Sequence, residues 1–172
     1  KNKWFLALAA LTIISFFFSN ILFWFFLLLF AVIVSKLIQI FFPFVVGFDW
    51  GAFACIFMGY YIHPIVALVF VSVASTIGCI FRGQHKAELM LLPIFGYIAI
   101  TLFFLFFPAT NIAFYTIGMI LTVVYGITNV FFSYFFMGRI DLNSFTFFIT
   151  LIINNFFLFK YISPYIIKSI GL

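Results

Sequence analysis

Charge is what this sequence has least of. Of its 172 residues, 6% are charged, eight of them Lys or Arg and three acidic, for a formal net charge of +5. Ordinary globular domains carry roughly 25% charged residues. A water-soluble fold is excluded, because so few ionic side chains cannot cover a surface that faces water. Disorder is excluded by the opposite signature, since 25% of the residues are aromatic, 32 of them Phe, where disordered chains are aromatic-poor and charge-rich. Cysteine is nearly absent as well. Cys55 and Cys79 lie inside apolar stretches, where a thiol behaves as a small hydrophobe. Without His or acidic neighbours they give neither metal-ligand spacing nor a disulfide framework, so no metal and no cofactor is expected. There is no nucleotide-binding motif and no basic cluster. The positive balance therefore reads as membrane orientation and not as affinity for nucleic acid.

What the chain does have is apolar length: 68% hydrophobic residues and a mean hydropathy of +1.39. A spanning helix takes about 20 apolar residues to cross a hydrocarbon layer of about 30 Å. The reading is an all-α polytopic transmembrane helix bundle of six to seven membrane segments, some short or kinked, in a single integral membrane domain over 1–172. Residues 4–42 are too long for one span and divide into 4–18 and 21–42 at Ser19-Asn20. The first run is followed by more membrane sequence with no small-residue cleavage site, so it reads as a segment and not as a removable leader. Pro43 and Gly47 end the second helix, and Asp49 is placed to cap the next. As one helix, 51–81 would reach about 46 Å. His63-Pro64 divides it into 51–62 and 65–81. Beyond the polar stretch Arg82-Gly83-Gln84-His85-Lys86 come 88–107, with Pro93 near its start, then 112–137, for which Asn111 is the candidate cap, and 145–162. Ser163-Pro164 then bends the chain into a terminal segment carrying Lys168.

Charge placement arbitrates the count. If 51–81 crosses twice, Lys1, Lys3, Arg82, Lys86 and Arg139 share one side, and the connections at 19–20, 63–64 and 108–111 carry no Lys or Arg, as translocated loops should. This predicts a cytoplasmic N-terminus. The segment 51–62, about 18 Å long, either crosses or re-enters.

Two ladders of small residues at fourfold spacing stand out: Gly47, Gly51, Cys55 and Gly59, then Gly118, Thr122 and Gly126. Residues four apart share a helical face, and in lipid a smooth face lets a second backbone approach closely. The ladders serve packing within the chain or seams to partner subunits. Polar groups inside lipid are costly and mark function more often than surface ones do. Asp49, Asn129, Asn154 and Asn155 are the candidates for lining or supporting a substrate cavity, with interhelical hydrogen bonds the plainer role for the amides. Lys36, six residues before the end of its run, is expected to snorkel to the interface, pairing with Asp49 being the alternative. His85 and Glu88 sit near Arg82 and Lys86, but there is no second carboxylate, no HExxH and no activated Ser or Cys motif. The expectation is a non-enzymatic protein.

Three stretches, FLALAAL (5–11), PFVVGFDWGAFACIFMG (43–59) and HPIVALVFVSVASTIG (63–78), with the paired asparagines of IINNFFLF (152–159), resemble the substrate-binding S components of energy-coupling-factor vitamin transporters. The chain also resembles the MreD-like membrane family. The first resemblance implies six helices, a substrate cavity opening outward and docking to a transmembrane coupling subunit with two ATPases. The chain departs from it in a count of up to seven segments and in an Ala spacing that does not reproduce AxxxA. The expected function is an integral membrane subunit that binds a small molecule and takes part in its transport with partner subunits. The alternative is a structural or accessory subunit of a larger membrane assembly. Expected partners are the lipid bilayer, other integral membrane subunits and a small-molecule ligand, and no nucleic acid.

Overall fold

The computed structural model describes residues 19–41, 47–83, 86–107, 113–138 and 142–171, together with residues 7, 10 and 12. Apart from residues 7, 10 and 12 the predicted first segment at 4–18 lies outside the described residues, as do Pro43, His85, Asn111, Arg139 and the side chain of Glu88.

Five elements are long: α1 (Asn20–Phe41), α3 (Pro64–Phe81), α4 (Ala87–Phe106), α5 (Phe114–Met137) and a helix that begins as α6 (Leu142–Phe157). The last continues through a π-helical turn, Leu158–Ile162, into α7 (Ser163–Ile170). Between α1 and α3 lies α2 (Trp50–Tyr61), only 12 residues long. Among the described residues five helices, counting Ser144–Ile170 as one, are long and apolar enough to cross a membrane. Their outward residues are apolar, Val69, Val73, Ile127, Phe131 and Ile153 among them. This is the build of a multi-pass helical membrane protein.

Capping sets the boundaries. Asp49 Oδ1 accepts from Gly51 N at 2.9 Å and starts α2 as the sequence predicts. His63 Nδ1 accepts from Ile65 N at 3.3 Å and Pro64 opens α3, so the break at His63-Pro64 is real. Gly138, at φ +69°, closes α5 in the left-handed conformation that glycine adopts without strain. The helix expected over 112–137 is Phe114–Met137, with no side-chain cap on Ala113. At Ser163-Pro164 the helix runs on without a break to Ile170. Proline lacks an N–H and crowds the carbonyl four residues back. The wider π-helical turn just before it absorbs both demands, while Ser163 Oγ donates to Phe159 O at 2.6 Å.

The long helices pack as a ring in the order α1, α3, α4, α5, α6, and α7 returns to the start of α1, where Ser169 accepts from Asn20 Nδ2 and from Trp24 Nε1. The short α2 touches α1, α3, α4, α5 and α6, and its residues from Gly51 to Gly59 are all buried. It is the core of the bundle. α1 and α3 run parallel, with Phe25 against Phe70 at one end and Gln39 bonded to Arg82 at the other. α2 runs back between them, from Asp49 beside Lys36 to Tyr61 and Ile62 beside Ile21 and Trp24.

Small residues set the spacing of this ring, and both ladders are consumed inside the chain. Gly51 and Gly59 of α2 meet Tyr97 and Phe104 of α4, whereas Gly47 sets its backbone on α6 at Thr150 and Leu151. Gly118 and Gly126 of α5 meet Phe159 and Phe148, and Thr122 and Cys55 are wholly buried. In lipid, helices associate by such packing, because lipid tails are as apolar as the side chains. Replacement of Gly118 by Val is expected to cost about 1–3 kcal/mol by overpacking, since a Cβ there would lie 2.6 Å from the Phe159 ring. Detergent-solubilised protein should show a lowered unfolding temperature, while Ile127→Ala, on the outer face, should stay within about 0.5 kcal/mol.

Candidate functional site: a charged cluster at the head of the central helix

The buried polar cluster is assembled from five helices, α1 to α5. Lys36 Nζ of α1 donates to Asp49 Oδ2 at 2.7 Å, and Tyr125 Oη of α5 donates to the same oxygen at 2.8 Å. The Gly51 N–H takes Oδ1, so the carboxylate has three donors. Lys36 and Asp49 are both buried. Lys36 therefore does not snorkel: it turns inward. The reason lies on α3, where Gly78 lets the Lys36 stem lie against the helix backbone; a Cβ at 78 would be 2.9 Å from Lys36 Cβ and Cγ. The Lys36 ammonium, with the Gly51 and Tyr125 bonds, offsets the cost of burying the Asp49 carboxylate.

A chain of bonds leads from this pair toward one end of the bundle. Arg82, the C-cap of α3, donates to Gln39 Oε1 at 2.6 Å, and Gln39 Nε2 donates to Phe48 O at 3.2 Å. Ser35 Oγ lies 3.5 Å from Trp50 N. On the inner side, Tyr97 of α4 stacks on Tyr125, with centroids 5.4 Å apart and planes at 21°. The Tyr97 hydroxyl rests against Gly51 in the space a side chain would fill, close to Asp49 Oδ1. Ser75 of α3 lies beside it. Among the described residues neither the Tyr97 nor the Ser75 hydroxyl meets a partner at full hydrogen-bond geometry, although both residues are fully buried and Ser75 and Tyr125 are polar neighbours of Tyr97; Trp50 Nε1 has no partner either.

The sequence candidates divide. Asp49 is the centre of the cluster, and Asn129 joins it one turn along α5, donating from Nδ2 to Tyr125 O at 2.9 Å. Asn154 and Asn155 stand apart on α6. Asn155 Nδ2 donates to Leu151 O at 3.1 Å, within its own helix, while Asn155 Oδ1 and Asn154 Nδ2 are buried without a partner. None of these amide bonds crosses between helices. Tyr97, Tyr125 and Ser75 were not among the candidates. Their signal was weak but present: a chain that fills space with 32 Phe and only 8 Tyr places two Tyr in mid-helix, and a phenol in lipid calls for a partner.

Comparison with protein-family models, with curated proteins and with solved structures finds no match.

Removing one member of a buried ion pair strands the other, at about 3–5 kcal/mol, whereas replacing both with apolar residues is often near neutral. Lys36→Met and Asp49→Asn should each lower the unfolding temperature strongly. The double variant Lys36→Met/Asp49→Leu should recover a large part of the loss, though not the cap, worth about 0.5–2 kcal/mol. A double variant as unstable as the sum of the singles would show that the pair is not a coupled unit.

Proposed function

We propose that this chain is a non-enzymatic subunit of a membrane transport system, binding a small molecule inside the helical ring and taking part in its movement with partner membrane subunits. One observation carries the reading. At the head of the central helix a buried ion pair adjoins buried hydroxyls of Tyr97 and Ser75 that meet no partner at full hydrogen-bond geometry among the described residues. Buried polar groups are ordinarily satisfied, and ionisable residues at membrane depth mark substrate or ion pathways by default. A solute is the natural complement to such groups. The likeness of 43–59 and 63–78 to S components favours the same role and extends it to docking on a coupling subunit.

We infer further that the chain crosses the membrane with six to seven segments, that its N-terminus is cytoplasmic, and that the end bearing Arg82 and Lys86 faces the cytoplasm. With Gln84→Cys, labelling by an impermeant maleimide should occur from the cytoplasmic side alone. Labelling only from outside would invert the topology.

A second reading has its own support. Asp49 already accepts three bonds, so the cluster can also be a finished staple in an accessory subunit of a larger assembly. Purified protein should be stabilised against heat by one or more members of a vitamin and metabolite panel, as mass action requires of a ligand that binds the folded state alone. No stabilisation, together with co-purifying integral partners, selects the accessory reading.

A further inference from the structure

The charges at the head of α2 are balanced, and the unmet bonding capacity there is neutral. Lys36 and Asp49 answer each other at 2.7 Å. The groups left over beside this pair are the Tyr97 and Ser75 hydroxyls, each able to donate and accept. Asp49 Oδ1 accepts only from Gly51. A full charge brought among them would find no free counter-charge, and an unpaired buried ion costs several kcal/mol. A neutral donor and acceptor would instead satisfy hydroxyls that already bear the penalty of burial.

Resting on the small-molecule reading above, we propose that the cluster takes an uncharged hydrogen-bonding solute, of the amide or polyol class, and not an ion, with the Tyr97 hydroxyl as its anchoring group. Tyr97 is suited to this by position. Its ring is fixed against Tyr125, and its hydroxyl lies over Gly51 beside the carboxylate, where only the absence of a side chain at residue 51 admits it.

Size-matched probes separate these possibilities: acetamide, acetate and ethylammonium, then benzamide, benzoate and benzylammonium, each titrated in thermal unfolding of the detergent-solubilised full chain. At ten times its Kd an amide should raise the unfolding temperature by about 3 °C or more, and its charged counterparts should not. Tyr97→Phe removes an unpartnered hydroxyl. Its unliganded unfolding temperature should be equal or higher, while the amide-induced shift disappears. Ser75→Ala serves as an independent second variant, with the shift reduced. Stabilisation by the carboxylate or ammonium members alone overturns the charge rule and leaves the small-molecule reading standing. An undiminished amide shift in Tyr97→Phe overturns the anchor. No shift from either amide overturns the proposal, and if the wider metabolite panel also fails, the small-molecule reading falls with it.

Discussion

A cation and an anion buried in an apolar bundle must find each other, and the fold is arranged around the place where Lys36 and Asp49 do so. Taking either charge out of water costs several kcal/mol, recovered only when the geometry is close and the remaining bonding capacity is met. Here the pairing holds three things at once. It fixes where α2 begins, because the same carboxylate caps that helix through Gly51. It sets α1 against α3, because the Lys36 stem needs Gly78 beneath it. It ties α5 inward through Tyr125. A one-turn shift of any of these helices would separate charge from countercharge, so a single electrostatic demand selects one register among many that apolar packing alone would tolerate.

Packing then supplies the energy that electrostatics cannot. The recurring device is a small residue on one helix facing a ring on the next: Gly51 with Tyr97, Gly59 with Phe104, Gly118 with Phe159, Gly126 with Phe148. Each pairing gives close backbone approach and many dispersion contacts, the main attraction available between helices in lipid. Around α2 the rings also meet one another, as Phe53 with Phe159 and Phe57 with Phe114. The short α2 is thereby the most enclosed helix. A segment of 12 residues, about 18 Å, is short for a lipid-facing span, and it is stable here because protein, not lipid, surrounds it.

This enclosure is also what gives the polar cluster chemical meaning. On a lipid-facing surface a lone hydroxyl bonds back to its own helix, as Thr128 does to Val124 O at 2.8 Å. Tyr97 cannot do this, because its hydroxyl is held a ring's length from its backbone, over the start of α2. Ser75 could bond to its own helix but does not. Polar atoms denied both water and local bonds, next to a pair whose charges cancel, are the basis of the proposed neutral guest.

The sequence by itself determined the solvent and the breaks around the central helix. Low charge and long apolar runs require lipid, and the cap Asp49 and the breaker His63-Pro64 act within a few residues of where they stand, so they were readable without the fold. The small-residue ladders were legible as contact faces, but not what they would touch. Only the tertiary structure decided that Lys36 turns inward, that Asp49 meets Tyr125 across 76 positions, that Tyr97 and Ser75 converge, and that a π-helical turn carries the last helix past Pro164. The physical reason is range. Capping and helix breaking are settled between near neighbours along the chain, whereas the partner of a buried charge or hydroxyl is whichever group the packing of distant helices brings within about 3 Å.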